Sequence, residues 1–408
     1  MKDELKVGIV GAPRGAGVIG AVTRDTEIQS GLANKPKGLI EIVNSIPETR
    51  TVALCDSKPD VLDVVADHYK IEQRYTDYGK MAASSLDIIV VATPMPLHVP
   101  MSVMALESGK HVLSEVPAAT DLKQCFQLVE AVRGSGKKYM MAENYIYMKD
   151  VRLIKSLVDA GLFGDIYFAE GEYLHDLRWL NEITTWRRKW QAARNGLTYP
   201  THALGPLLYW FDDRVENVSC FGSGNHYADA AGKTYEIEDT VIAMCRLARG
   251  GLARVRQDMI SRRPENWKYY SLQGTKGCYE AERGFGDSPK IWLEDYCEEL
   301  DQWMPLSDFE DEFLPDAWKN PPAEVTEAGH WGGDYFEIKA FVDAVVNDTE
   351  PPIDVYRALD MTVPGLVSEE SANKGGIPLP VPDFRGIDRF PDDLPNPLKK
   401  SAIIEVTL

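Results

Sequence analysis

Residues 6–143 alternate short, almost wholly apolar runs with helical patterns, and no other feature restricts the fold of this chain so severely. The runs are KVGIVGA, TVALCD, LDIIVVAT, HVLSEVP and YMMAEN; PDVLDVVADHYK, PLHVPMSVMALESG and TDLKQCFQLVEAVRGSG lie between them. Strands that are apolar on both faces need cover on both faces. The pattern therefore predicts a parallel sheet between helix layers, an α/β Rossmann domain. From about Tyr145 the rhythm lengthens. A helix in MKDVRLIKSLVDAGLFG precedes strand-like stretches such as DIYFAEGEYL, ENVSCFGSGNH and WKYYSLQGTKGCYEAER. RLARGGLARV puts a Gly-Gly pair where a hairpin turns. This half is expected to be an α+β domain with an open, largely antiparallel sheet and helices on one face. The expected boundaries are 1–143 for the Rossmann domain, 144–375 for the α+β domain and 376–408 for a Pro- and Asp-rich arm.

The 408 residues carry 44 basic and 63 acidic side chains, a net charge of −19. That balance argues against nucleic acid as a partner. No apolar stretch approaches the length of a membrane span, and the first strand starts too early for a secretory leader, so a cytoplasmic protein is expected. Cys55, Cys125, Cys220, Cys245, Cys278 and Cys297 show no paired spacing and read as reduced core residues.

KVGIVGAPRGAG ends a strand on Gly11 and turns through Ala12, Pro13, Arg14 and Gly15. A glycine there lets backbone approach a pyrophosphate, and the helix start that follows offers N–H groups. Pro13 replaces the middle glycine of the usual fingerprint. Asp56, with Ser57 after it, lies well beyond the usual spacing of about 20 residues, so RDTEIQSGLANKPKGLIE reads as an insertion. A carboxylate ending the second strand favours NAD, by accepting both ribose hydroxyls; Lys58 keeps NADP open. Thr93, Pro94, Leu97 and His98 come at or just after the end of LDIIVVAT, Glu115 near the end of HVLSEVP and Asn144 at the end of YMMAEN. All fall where ligands bind in such sheets, beyond the carboxyl ends of the strands.

RNGLTYPTHALGPLLYW breaks its own regularity twice. Pro200 pushes Tyr199 out of the helical region, so a helical turn starts at Pro200, and Pro206 reads as a second start or a kink. His202 then sits near a helix start, which favours a neutral imidazole, with Tyr199 close by.

Taken in order, VGIVGA, Asp56, ATP…LH, SEVPAATDL, ENYIY, LFGDI and QGTKG resemble the glucose–fructose oxidoreductase/inositol dehydrogenase family over most of the chain. Most members carry Glu-Lys-Pro where this chain has Glu115-Val116-Pro117, and their lysine helps take the alcohol proton. Valine cannot. EVP, ENYIY, YLHDLR, TWRRKWQAARNG and YPTHALGP are similar to the NAD-dependent glycosidase branch typified by the α-N-acetylgalactosaminidases. The resemblance implies transient oxidation at C3 of a sugar, elimination at C1, water addition and re-reduction. It implies Tyr199 or His202 for the oxidation and C2 proton steps, Tyr147 as supporting acid or base, and Glu115 near the nicotinamide ribose. The rival reading is a net sugar dehydrogenase on the same fold.

HDLRWLNEITTWRRKWQAAR gathers Arg178, Arg187, Arg188, Lys189 and Arg194 beside Trp186 and Trp190. Indole faces suit a pyranose, and arginine forks suit carboxylates or sulfonates. With His175 and Thr201 these are the expected substrate contacts, and an anionic sugar glycoside, a sulfoquinovoside or a uronide, is the expected substrate. The competing reading is a solvated basic helix or a subunit contact. His330, Trp331 and Asp334 either touch substrate or cap a late helix. No metal is expected, because His175, Asp176, His202 and His330 lack ligand spacing. An exposed sheet face predicts a homodimer or homotetramer.

Overall fold

The computed structural model describes residues 4–17, 37–297, 299 and 302–387. The insertion expected over 24–41 lies outside these residues as far as 36, and the expected arm does so from 388 onward. Two compact units divide the described residues. The first holds the chain through Asn144, then Pro322–Leu359 and the residues from Asp383; the second holds Tyr145–Pro321 and Asp360–Pro382. A single crossing near residue 143 was the expectation, and the chain instead returns to the first unit. The reason is cover: the Gly333–Asn347 helix buries Phe336, Ile338, Phe341 and Val342 and packs on the last two strands of that unit's sheet.

The sheet of the first unit contains β1 (Leu5–Val10), β2 (Thr49–Cys55), β3 (Gln73–Tyr75), β4 (Ile88–Val91), β5 (His111–Glu115) and β6 (Tyr139–Ala142). Their order is β3-β2-β1-β4-β5-β6, parallel throughout. β4 and β6 are buried at every position, which is why their sequences are runs rather than alternations. Helices start and stop on local chemistry. Asp121 caps the Leu122–Ser135 helix by accepting from the Gln124 N–H at 2.8 Å, and Gly136 ends it with φ 63°.

The second unit holds a nine-stranded sheet. It comprises β7 (Ile166–Leu174), β8 (Val215–Gly222), β9 (Thr240–Leu247), β10 (Leu252–Asp258), β11 (Asn266–Gly274), β12 (Gly277–Glu280), β13 (Lys290–Leu293), β14 (Met304–Pro305) and β15 (Leu379–Pro380). Only β7 and β10 pair in parallel. Gly250 and Gly251, both at φ 99°, make the β9–β10 turn as the sequence suggests. Side chains on β7 alternate. Gly171 faces the Thr201–Phe211 helix, where the Ala203 carbonyl leaves no room for a Cβ. Glu170 and Glu172 point to the helix-free side and pair with Arg254 at 3.0 and 2.6 Å.

Of the two expectations for Pro206 the second start is not met: one helix runs from Thr201 to Phe211 with the proline inside. Proline cannot donate to the carbonyl four residues back, which is that of His202. The Tyr270 hydroxyl on β11 donates to it instead, at 2.6 Å. A cross-strand tyrosine thus replaces the missing helical bond.

All six cysteines are free and all but Cys278 are buried. Burial pushes the Cys55, Cys220 and Cys245 thiols up to about 12. Among the described residues no helix is long and apolar enough to cross a membrane.

Candidate active site

In the first unit the expected dinucleotide residues gather at the carboxyl ends of the parallel strands. Gly11 ends β1 at φ 96°, and a Cβ there would lie 2.7 Å from the Ala92 carbonyl carbon. The position is a cradle that only glycine leaves open. Ala12, Pro13, Arg14 and Gly15 form one short helical turn after it. Asp56 accepts from the N–H groups of Ala12 (3.2 Å) and Lys58 (3.0 Å), with Ser57 exposed beside it. Burial raises the Asp56 pKa, and those two N–H groups and the Lys58 charge oppose the rise. The Thr93 hydroxyl is buried without a hydrogen-bond partner. A glycine cradle, an unengaged hydroxyl and a carboxylate at the end of β2 fit a dinucleotide.

His98 is turned inward. Its Nδ1 meets the Pro117 carbonyl and its Nε2 the Thr93 carbonyl, both at 2.9 Å, so it ties together the loops after β4 and β5. Pro94 and Leu97 are half-buried in the first of these loops. Glu115 accepts from Arg14 Nε at 2.8 Å, joining the Gly11–Gly15 turn to the end of β5. Asn144 donates to Asp334 at 2.7 Å, and His330 Nδ1 meets the same carboxylate oxygen at 2.8 Å. Burial works against the charge on His330, but Asp334 outweighs it and the His330 pKa rises; the Asp334 pKa falls. Asp334 lies in the first turn of the Gly333–Asn347 helix, tied to His330 and Asn144, while exposed Trp331 precedes it at φ 55°.

In the second unit the chain folds Tyr199 and His202 into an aromatic cluster. The Tyr145 ring stacks on the His202 imidazole with centroids 4.0 Å apart and planes 3° from parallel. Tyr199 meets His202 edge-on at 4.9 Å, and Tyr173 does so at 5.3 Å. The Gln257 side chain accepts from the Tyr199 backbone N–H at 2.8 Å and donates to Thr198 at 3.2 Å, fixing the approach to Pro200. Thr201 is wholly buried, its hydroxyl without a partner. Tyr147 is 3% exposed, its ring 5.8 Å from the Arg152 guanidinium, and its carbonyl accepts from the Trp318 indole. It is Tyr145 that stacks on His202. Tyr145 and Tyr173 were missed in the sequence; the signal available for Tyr173 was its i,i+2 spacing to His175 along a strand.

The basic run is largely neutralised from within. Arg178 forks onto Asp176 at 2.8 and 2.6 Å, Arg188 pairs with Asp229 and Glu182, and Arg194 holds Glu369 at 2.6 Å. Arg187 lies 4.5 Å from the Trp186 ring centroid, Trp190 is half-buried and Lys189 is exposed. His175 contacts Tyr173 and Glu265. Among the described residues no three His, Cys, Asp or Glu side chains converge as a metal site would require.

Two family models match the chain. Residues 5–143 match the oxidoreductase family with an NAD-binding Rossmann fold, and residues 147–387 match the C-terminal domain of glycosyl hydrolase 109. A glycosyl hydrolase family 109 protein of Streptomyces niveus is 31% identical over 389 residues, covering 87% of this chain and 76% of its own. One from Shewanella putrefaciens is 27% identical over 372 residues, covering 81% and 79%. Among solved structures, the WlbA dehydrogenase of Bordetella pertussis, in complex with NADH and UDP-GlcNAcA, superposes with a TM-score of 0.70. It is 19% identical and the match covers 93% of this chain and 99% of that one, a likeness of fold.

Proposed function

Because the chain belongs to glycosyl hydrolase family 109 and is an NAD-dependent enzyme, we propose that it cleaves glycosides without net redox change. The route is transient oxidation at C3 of the sugar, elimination of the C1 substituent, addition of water and re-reduction. NAD, when bound, accepts the C3 hydride and gives it back. The Gly11–Gly15 turn, Asp56 and Thr93 hold the dinucleotide, with Ser57, Pro94, Leu97, Glu115 and Asn144 around it.

The observation that carries this reading is the Tyr199–His202–Tyr145 cluster. A C3 ketone acidifies the C2 proton, and a base positioned by its neighbours can then remove it. Stacking against Tyr145 fixes the imidazole plane, and the Tyr199 edge sets a phenol beside it, so the pair takes the O3 and C2 protons. Tyr147 is the supporting acid or base of this reading. Deuterium at C2 of product formed in heavy water, with no NADH accumulating, is the expected result. One NADH per sugar would instead identify the rival, a net sugar dehydrogenase.

For substrate, the ion pairs of Arg178, Arg188 and Arg194 favour a neutral sugar. Arg187 on Trp186, with Lys189, supports the second option, a sulfoquinovoside or uronide. Faster turnover of neutral than of anionic aryl glycosides removes that option. We place the enzyme in the cytoplasm. We also propose a homodimer or homotetramer formed through the helix-free face of the second sheet. Strand register sets Phe221 beside Ile242 and Leu252 beside Phe168 there, and light scattering tests it.

A further inference from the structure

Elimination at C1 needs protons handled in two places, on C2 and on the departing oxygen, and the Tyr199–His202 pair accounts for the first. The second unit contains another acid–base chain. The Tyr173 ring lies 5.3 Å from the His202 ring and 5.8 Å from the Tyr199 ring. Its hydroxyl meets His175 Nδ1 at 2.8 Å, and His175 Nε2 faces Glu265 Oε1 at 3.4 Å. The His175 backbone N–H donates to the Asp258 carbonyl at 2.8 Å, and Trp267 packs on the imidazole at 4.9 Å. Both hold the ring where β7 ends. Asp176, next in sequence, forks onto Arg178, and Glu265 Oε1 is the carboxylate oxygen that faces Nε2. Exposure rises along the chain: Tyr173 is 7% exposed, and the His175 and Glu265 side chains 21% and 37%. Phenol, imidazole and carboxylate thus run from the buried cluster toward water.

A phenol alone, with a pKa near 10, is a poor proton donor at neutral pH. An imidazolium behind it supplies the proton it gives up, and a carboxylate on the far nitrogen stabilises that imidazolium. We propose that Tyr173, recharged by His175 and supported by Glu265, protonates the leaving glycosidic oxygen and later accepts a proton from the attacking water. Tyr173 is the catalytic residue of the three; His175 and Glu265 are positioning residues. The inference rests on the glycosidase reading above.

The step balances. The C2–H pair becomes the C1–C2 double bond and the C1–O pair leaves with the oxygen. That oxygen takes the Tyr173 proton, and Tyr173 takes the Nδ1 proton of His175. When water adds to C1, its proton passes through Tyr173 back to Nδ1, and C2 recovers a proton from the Tyr199–His202 pair. One water is consumed and every residue is restored.

The test compares Tyr173→Phe with the parent on paired 4-nitrophenyl and methyl α-glycosides of N-acetylgalactosamine, glucuronic acid and sulfoquinovose, using whichever pair the parent cleaves. Nitrophenolate leaves without help, whereas methoxide needs its proton. In a single turnover the variant is expected to release methanol about 10²–10³-fold more slowly and nitrophenolate less than about fivefold more slowly, because water adds to C1 only after the aglycone has left. C2 exchange in heavy water should persist, which also shows that the variant is folded. His175→Gln should show the same leaving-group dependence in milder form. Equal slowing of both substrates with C2 exchange intact overturns the role of Tyr173 alone. A parent enzyme that hydrolyses without any C2 exchange overturns the glycosidase route itself.

Discussion

Tyr270→Phe tests the link between backbone and site most directly. The Tyr270 hydroxyl donates to the His202 carbonyl at 2.6 Å, and the two residues are 2% and 5% exposed, so no water can replace the bond freely. Phenylalanine keeps the ring, which meets Trp210 edge-on at 5.9 Å, and removes only the donor. Leaving a buried acceptor unsatisfied costs about 1–3 kcal/mol. For a unit of this size each kcal/mol moves Tm by about 2–4 °C, so a fall of about 2–12 °C is expected. The decisive measurement is the same substitution in a Pro206→Ala background. Alanine has the N–H that proline lacks, and the position lies four residues after His202, so the substituted helix supplies the bond directly. Tyr270→Phe should then cost no more than about 0.5 kcal/mol, a coupling that urea unfolding of the four proteins resolves. Activity gives an independent reading, since the freed carbonyl belongs to the residue carrying the imidazole; a displacement of about 1 Å lowers kcat by about 10²-fold. Equal losses in both backgrounds would refute the replacement of a helical bond by Tyr270.

Gly11→Ala puts a methyl 2.7 Å from the Ala92 carbonyl carbon at φ 96°, and a penalty of about 2 kcal/mol should weaken NADH binding about 30-fold in a fluorescence titration. Breaking the Arg194–Glu369 pair, whose side chains are 13% and 15% exposed, by Glu369→Ala should cost about 3 kcal/mol of stability; Arg194→Met with Glu369→Leu should recover most of it in denaturant melts. The His330–Asp334 pair should stabilise the fold fully between the ordinary values of 3.8 and 6.5. The contribution is lost as pH rises through the raised His330 pKa and as it falls through the lowered Asp334 pKa. The stability gap between the parent and Asp334→Asn should therefore peak in that window and shrink toward pH 9.

What the sequence reveals depends on where a residue finds its partner. The central strands of the first sheet are buried on both faces, so β4 and β6 are apolar at every position and a parallel sheet can be read from such runs. Gly11 was legible for a similar reason: the constraint is on its own backbone, and only glycine meets it. The basic run between Arg178 and Arg194 was not, because two of its carboxylates, Asp229 and Glu369, arrive from distant segments. The local spacing of arginines looks the same whether they await a substrate anion or already hold one of the protein's own. Pro206 makes the case most sharply. Read locally, a proline six residues into a helix is a fault. Its repair lies in Tyr270, on a strand more than sixty residues away, and nothing in the spacing of RNGLTYPTHALGPLLYW announces it. Tyr173 belongs to the same class: its i,i+2 spacing to His175 is in the sequence, while the rings it meets, Tyr145 and His202, come from separate segments. A helix that needs a side chain from another strand to close its own hydrogen-bond ladder is fixed in place by that strand. The imidazole it carries is therefore positioned by the sheet rather than by the helix, and it is the sheet that must be disturbed to move it.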